Sequence, residues 1–219
     1  MARLKVCCIA SVEEAELAVA HGATAIGLVS AMPSGPGVVA DDVIREVAAW
    51  ARGRVRSFLL TSRTDPEAIA AQLHDLQPET VQLVDALPEG AHAALRRRAP
   101  RVRVVQVIHV RTSADVDEAL RLAPAVDELL LDSGNPELAV KELGGTGRTH
   151  DWSLSARIVR ESGVPVWLAG GLRAENVGRA IATVRPHGLD VCSGVRRDGR
   201  LDAVRLSALA GAMAAGPQP

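Results

Sequence analysis

The chain has 219 residues, of which 47% are hydrophobic and 23% charged, and its formal net charge is -1. This composition is typical of a globular protein and excludes wholesale disorder. The near-zero charge offers no general attraction for nucleic acid or an anionic membrane, and the apolar runs are too short for a transmembrane helix. Phe58 is the single phenylalanine and tyrosine is absent, so the chain has few aromatic side chains on which nucleic-acid bases could stack.

The N-terminus and the cysteines predict the compartment. The first ten residues, MARLKVCCIA, run directly into a strand-like segment and lack the core and cleavage site of a signal peptide. Cys7, Cys8 and Cys192 are an odd set without metal-ligand spacing, so reduced thiols are expected. We therefore expect a cytoplasmic protein with no metal site.

Short apolar runs bounded by turn residues recur along the chain and predict buried strands. The predicted strands are 4–9, 25–29, 56–60, 80–83, 103–109, 128–131, 166–169 and 189–192. A helical pattern follows each strand, at 11–21, 41–51, from 65 onward, 89–98, 114–123, 154–161, 174–183 and 202–215. Ser11 and the Asp65-Pro66 pair are typical of helix starts.

This regular alternation predicts an α/β fold with a single domain over residues 1–219, its last few residues frayed. Eight strand–helix units at a spacing of roughly 25 to 30 residues favour a (β/α)8 TIM barrel. A doubly wound open sheet is the alternative, but it usually carries glycines after its first strand, and the turn here, CCIAS, has none. Catalytic groups in a barrel lie at the C-terminal ends of the strands.

The segment from Leu129 to Trp152, LLLDSGNPELAVKELGGTGRTHDW, combines two features typical of an active site. Asp132 ends strand six, where poor solvation favours the neutral acid that can donate a proton; capping of the next turn is the alternative. Gly145 and Gly147 can bring backbone N–H groups close to an anion such as phosphate, or they serve loop geometry alone.

Glycine-rich turns also follow strands seven and eight, in LAGGL (168–172) and DVCSGV (190–195). Barrels commonly hold a phosphate at these two turns; tight packing is the alternative. Strands one and eight are neighbours in a closed barrel, so all three cysteines are expected at one mouth. A thiol there can act as a base, or it can be a small apolar core residue. Because side chains alternate along a strand, only one of Cys7 and Cys8 is expected to point into the barrel.

Several segments together resemble the phosphoribosylanthranilate isomerase family. They are KVCCIAS, ATAIGLV, VQL, LLLDS, GGTGRTHDW, LAGGLRAENV and LDVCSGV, in the family's order. The resemblance implies an isomerase of the aldose–ketose type (an intramolecular oxidoreductase) in tryptophan biosynthesis. Its reaction would be an Amadori rearrangement of a phosphoribosyl amine to a 1-amino-1-deoxyketose phosphate, without metal or organic cofactor. Its ligand would be a small phosphorylated sugar, with no nucleic-acid or membrane partner, in a monomer or homodimer.

The resemblance also implies roles for individual residues. Cys7 would be the base that takes a proton from the sugar's second carbon, and Asp132 the acid that protonates the ring oxygen. The phosphate would bind at the glycine-rich loop and turns, at Gly145, Gly147, Gly170, Gly171, Ser193 and Gly194. Further candidates for substrate contacts are Gln82, His109 and Arg196, although His109 can equally be a core histidine.

The chain departs from the family pattern on the side that would receive the aromatic ring. Cys8 replaces a glycine, Val84 replaces a histidine, and Asp85 adds an acid. Gly37 replaces the arginine that binds the anthranilate carboxylate, so weaker anthranilate binding is expected. Candidate replacement cations are Arg63, Arg111, Arg148 and Arg196. Two alternatives stay open: a barrel of the same lineage with a different phosphorylated sugar or amine substrate, and a non-catalytic phosphosugar-binding protein.

Overall fold

A computed structural model describes residues 2–33, 35–134 and 151–216. Gly145, Gly147, Arg148 and the predicted frayed end at 217–219 lie outside the described residues. No helix among the described residues combines the length and the apolar character that crossing a membrane requires.

Eight parallel strands close into one barrel in chain order, which confirms the predicted (β/α)8 architecture. The strands are β1 (Arg3–Val6), β2 (Ala25–Val29), β3 (Arg56–Thr61), β4 (Thr80–Leu83), β5 (Arg103–His109), β6 (Glu128–Asp132), β7 (Val166–Leu168) and β8 (Gly188–Val191). The first and last strands pair along their whole length, and this places Lys5 directly beside Asp190.

Helices pack around the outside of the barrel. They are α1 (Val12–Ala20), α2 (Asp41–Ala51), α3 (Pro66–Leu76), α4 (Ala91–Arg98), α5 (Ser113–Leu122), α6 (Trp152–Glu161), α7 (Ala174–Val184) and α8 (Ala203–Ala215). Two 3-10 turns (Ala123–Ala125 and Ser193–Val195) and a ribbon of β9 (Arg196–Arg197) with β10 (Arg200–Leu201) complete the described elements.

The helix starts follow from the capping residues. The Ser11 hydroxyl accepts a hydrogen bond from the Glu14 N–H at 3.3 Å, and the Asp65 carboxylate accepts one from the Ala68 N–H at 2.9 Å. Pro66 occupies the first position of α3, where no hydrogen bond is lost. Helix α4 begins two residues later than expected, because Gly90 takes a left-handed conformation with φ of 76°.

Strand β1 ends at Val6 instead of residue 9, because Cys8 has a φ of 64° that extended chain cannot continue. The alternation of side chains along a strand therefore does not determine the direction of the Cys8 side chain. The expectation that only one of Cys7 and Cys8 faces the interior was wrong: both line the same cavity.

The N-terminal end of the barrel is closed by an ionic cluster. Arg56, Arg103 and Glu128 are the first residues of their strands. The Glu128 carboxylate accepts bonds from Arg56 at 2.7 Å and from the Trp167 indole N–H at 2.5 Å, and Arg103 lies 2.9 Å away. Burial acts to raise the pKa of Glu128, but these partners together hold it below its ordinary value. With this floor filled, space for a ligand is left at the opposite end.

Candidate active site

A cavity that is partly open to solvent lies at the C-terminal ends of the strands. A cavity at this end of a barrel is where a small-molecule site is expected. Cys7, Asp132, Gly171 and Ser193 all contribute to its wall, although they come from four different strand ends. The structure therefore brings the predicted acid, base and phosphate-binding turns to one cavity.

Cys7 follows β1 and faces this cavity with only 5% of its surface exposed. Its N–H donates to the Val191 carbonyl at 2.8 Å, which continues the β1–β8 pairing by one residue. A Cβ on Gly27, in the neighbouring strand, would lie only 2.7 Å from the Cys7 sulfur. Gly27 therefore provides the space that the thiol occupies.

A buried ion pair lies one layer below Cys7. The ammonium of Lys5, fully buried, is 2.9 Å from the Asp190 carboxylate. Burial acts to lower the pKa of Lys5, but Asp190 and Cys7 outweigh it and the pKa is raised. Burial raises the pKa of Asp190 against the attraction of Lys5, and the nearby Asp132 adds to this increase. The cavity thus has a coupled set of charges beneath the candidate base.

Asp132 ends β6 and is 6% exposed, at a position beside His109 of β5. One of its carboxylate oxygens accepts the N–H of Ser133 at 2.8 Å. The His109 ring points its Nε2 at the Val84 carbonyl, 3.3 Å away, while its Nδ1 has no hydrogen-bond partner among the described residues. His109 is buried at the strand end but is not part of the cavity wall.

The turns after β7 and β8 form the adjoining wall. Gly170 and Gly171 have φ angles of 90° and 61°, which a side chain rarely adopts. The turn is tied down by the Asn176 amide, which donates to the Gly171 carbonyl at 2.9 Å. Gly194 packs directly on the Leu172 carbonyl, where any Cβ would overlap that oxygen. Gly170, Gly171 and Ser193 reach the cavity, whereas Gly194 supports the turn behind them.

Arg196 does not contribute to the described cavity wall. Its guanidinium donates to both carboxylate oxygens of Glu14 at 3.0 Å and to the carbonyls of Cys7 at 3.2 Å and Cys8 at 2.5 Å. Burial acts to raise the pKa of Glu14, but Arg196 and the Leu201 N–H hold it below its ordinary value. Arg196 therefore fixes the loop after β1. Arg63 and Arg111 do not contribute to the described cavity wall either.

The two substitutions at positions 8 and 37 are physically linked. Gly37 has a φ of 77° and packs against the Cys8 side chain, so any Cβ at Gly37 would overlap Cys8. A side chain at position 8 in this conformation therefore excludes one at position 37. The neighbouring wall is apolar, with Met32, Leu60 and Val84. Gln82 lies in the same cavity, 3% exposed, and its side-chain oxygen has no partner among the described residues.

Sequence reasoning assigned no role to two residues that the structure places in the wall, Asp190 and Cys192. The signal for Asp190 was a carboxylate inside an otherwise apolar strand, as for Asp132, although Asp190 lies before the last residue of its strand. Cys192 was expected at the mouth, and its sulfur lies 2.6 Å from that of Cys8. No group of three or more metal-ligating side chains is found within the described part of the chain.

The geometry can be set beside known proteins. A model of the family described as N-(5'phosphoribosyl)anthranilate (PRA) isomerase matches residues 4–211. The N-(5'-phosphoribosyl)anthranilate isomerase of Methanocella arvoryzae is 32% identical over 206 residues, covering 94% of each chain. That of Halobacterium salinarum is 36% identical over 221 residues, covering 100% of this chain and 99% of its own. The crystal structure of the Thermotoga maritima enzyme superimposes with a TM-score of 0.83 at 30% identity, covering 98% of this chain and 100% of its own. The chain therefore belongs to the N-(5'-phosphoribosyl)anthranilate isomerase family.

Proposed function

We propose that the protein is a phosphoribosylanthranilate isomerase of tryptophan biosynthesis, with Cys7 as its base and Asp132 as its acid. The observation that carries this proposal is that both side chains, 5% and 6% exposed, line one cavity together with the turns after β7 and β8. A structural neighbour with a TM-score of 0.80 and 28% identity was solved in complex with reduced 1-(o-carboxyphenylamino)-1-deoxyribulose 5-phosphate.

The chemistry divides between the two side chains. Asp132, in its neutral form, donates a proton to the ribose ring oxygen, and the nitrogen lone pair opens the ring to an iminium ion. Cys7, as a thiolate, removes the proton from the sugar's second carbon and leaves an enolamine. Protonation at the first carbon and loss of the enol proton then give the aminoketose, so that the whole reaction is an isomerisation with no redox partner.

The ionic layer under Cys7 places a cation near the candidate base. Lys5 is fully buried, 2.9 Å from Asp190, and its ammonium and the Cys7 sulfur both lie close to Gly27. In a poorly solvated cavity such a charge favours an anionic neighbour. The phosphate is proposed to bind the backbone N–H groups of Gly171 and Ser193, with Gly170 shaping the turn and Gly194 packed behind it. Gly145 and Gly147 stay candidates for further phosphate contacts.

An enzyme of the same lineage with a different phosphoribosyl amine is the second candidate. The observation in its favour is the apolar wall around Cys8 and Gly37, where a side chain at position 37 is excluded. A substrate without the anthranilate carboxylate would lose nothing there. A non-catalytic phosphosugar-binding protein would instead bind such a ligand without converting it.

We also propose the reducing cytoplasm as its compartment, because the three cysteines are free thiols. The small phosphorylated substrate is the only partner that the proposed reaction needs, and a monomer and a homodimer are both compatible with it.

The test is turnover of freshly generated phosphoribosylanthranilate, followed by loss of substrate fluorescence, for the wild type and for the variants Cys7→Ser and Asp132→Asn. We expect each substitution to lower kcat by about a hundredfold to ten-thousandfold, the range of general acid–base catalysis, with binding of the product analogue retained. Asp75→Asn, an exposed carboxylate on α3, is the matched control and should keep full activity.

Three outcomes separate the candidates. Turnover that both substitutions abolish supports the first. Faster turnover of a phosphoribosyl arylamine that lacks the carboxylate would favour the second. Binding of the analogue by the folded wild type with no turnover of either compound would contradict both and favour the binding protein.

A further inference from the structure

The proposed reaction uses Cys7 and leaves the other two cysteines without a task. The sulfur atoms of Cys8 and Cys192 lie 2.6 Å apart, within a thiol–thiol hydrogen bond. All three cysteines are free thiols. A disulfide bond is about 2.05 Å long, so this pair needs a movement of only about half an ångström to become covalent.

The backbone conformation directs the Cys8 side chain towards Cys192. Cys8 has a φ of 64°, a region that side chains rarely occupy and that favours glycine. The conformation is held from two sides, since the Arg196 guanidinium bonds the Cys8 carbonyl and the Cys8 sulfur contacts the Pro36 carbonyl at 3.6 Å. The absence of a side chain at Gly37 leaves the room for it. These contacts thus hold the Cys8 thiol in a defined position.

The surroundings distinguish the two sulfurs chemically. The hydrogen bond with Cys8 lowers the pKa of Cys192, with help from the Arg196 charge and against burial and Asp190. The same hydrogen bond, together with Cys7 and burial, raises the pKa of Cys8. Cys192 is therefore the better nucleophile, and Cys8 keeps its proton until a second step.

We propose that Cys8 and Cys192 are a redox modification site, at which a hydroperoxide forms a reversible disulfide across the seam between the first and last strands. The Cys192 thiolate attacks the peroxide O–O bond, giving a sulfenic acid and releasing hydroxide from hydrogen peroxide. The Cys8 sulfur then attacks the sulfenic sulfur, and the leaving hydroxyl departs as water with the Cys8 proton. The two thiols supply the two electrons that the peroxide takes up, and thiol–disulfide exchange with an external dithiol reverses the change.

The location gives the disulfide a measurable consequence. Strands β1 and β8 are the first and last strands of the barrel, and Cys8 and Cys192 lie just beyond the end of their pairing at Val6 and Val191. A bond between them would enclose nearly the whole barrel in one covalent loop. Long loops lose the most conformational freedom in the unfolded state, so the oxidised protein should melt roughly 5 to 15 °C above the reduced protein.

The test treats the folded protein with one equivalent of hydrogen peroxide, counts free thiols, and maps cross-linked peptides before and after dithiothreitol. We expect the wild type to fall from three free thiols to one, with a Cys8–Cys192 peptide, an unmodified Cys7 and the increase in melting temperature. Dithiothreitol should reverse all of these changes.

The variants separate this site from general oxidation. Cys8→Gly removes the thiol at a position whose backbone favours glycine, so the variant should fold, and it should show neither the cross-link nor the melting shift. Cys192→Ser should also lack both the cross-link and the melting shift, whereas Cys7→Ser should still form the Cys8–Cys192 disulfide. A cross-link that includes Cys7, oxidation of Cys192 to a sulfinic acid without a cross-link, or no thiol loss in the wild type would each overturn the proposal. These readouts are independent of the isomerase activity.

Discussion

The buried pair of Lys5 and Asp190 gives the sharpest prediction about stability. Lys5→Met keeps an unbranched apolar side chain of nearly the same length and removes the ammonium group. The Asp190 carboxylate, 8% exposed and with one oxygen already lacking a hydrogen-bond partner among the described residues, would then be buried without its cation. Removing one member of a buried ion pair typically costs about 3 to 5 kcal/mol.

The expected size follows from the chain length. For a domain of about this size, 1 kcal/mol corresponds to roughly 2 to 4 °C in Tm, so Lys5→Met should lower Tm by about 6 to 20 °C. The matched control is Arg45→Met, which breaks an ion pair with Asp75 whose side chains are 47% and 55% exposed. Exposed pairs contribute about 0 to 1 kcal/mol, so the control should shift Tm by a few degrees at most.

The pH dependence has a definite sign. Burial raises the pKa of Asp190, so in the Lys5→Met variant this carboxyl is protonated more readily in the folded than in the unfolded state. The deficit relative to wild type should therefore shrink as pH falls from neutral towards 3.8, the ordinary value. Thermal and denaturant unfolding at several pH values measures this. A Lys5→Met variant as stable as the Arg45→Met control at pH 7, or a deficit that grows on acidification, would refute the reasoning.

Further substitutions test other parts of the structure. Gly188→Ala places a methyl group against the indole ring of Trp167 and should destabilise the protein by about 1 to 3 kcal/mol. Its control, Gly211→Ala, lies on an exposed face of α8 with nothing nearby and should stabilise the protein by up to about 1 kcal/mol; chemical denaturation compares the two variants. Glu128→Gln should lower stability at neutral pH. Because the pKa of Glu128 is held below 4.5 in the folded state, its contribution is complete above 4.5 and is lost as pH falls through the lower folded-state pKa, so the deficit should shrink on acidification. Equal deficits at pH 3 and pH 7 would contradict this. Gly27→Ala should displace the Cys7 sulfur and lower kcat by about tenfold to a hundredfold without unfolding the protein. Steady-state kinetics measures this, and an unchanged kcat would show that the position of the thiol is not critical.

Local patterns were sufficient to predict the barrel. The strands at 25–29, 80–83 and 103–109 have the predicted bounds, because each is a short run dominated by apolar residues. The strand–helix alternation then leaves few topologies, since parallel neighbours need a crossover helix. The end of β1 was missed because the left-handed Cys8 depends on contacts with Pro36, Gly37 and Arg196, which are distant in sequence.

In the candidate site, too, local features could be predicted from the sequence and long-range contacts could not. Strand ends could be read from the sequence, so Cys7 and Asp132 were predicted at the mouth, where the structure places them. Pairs that form only on barrel closure could not be read: Lys5 with Asp190 requires the β1–β8 register, and Arg196 with Glu14 requires the ribbon to fold back on α1. The latter pair explains why Arg196, a candidate for substrate binding, instead fixes the loop after β1.

A crystal structure with reduced 1-(o-carboxyphenylamino)-1-deoxyribulose 5-phosphate tests the central claim most directly, namely that one cavity holds the acid, the base and the phosphate site. We predict the phosphate within hydrogen-bond distance of the N–H groups of Gly171 and Ser193. The sugar chain should lie between the Cys7 sulfur and the Asp132 carboxyl group, with the aryl ring towards Met32. A phosphate bound elsewhere, or a sugar out of reach of both Cys7 and Asp132, would contradict the account.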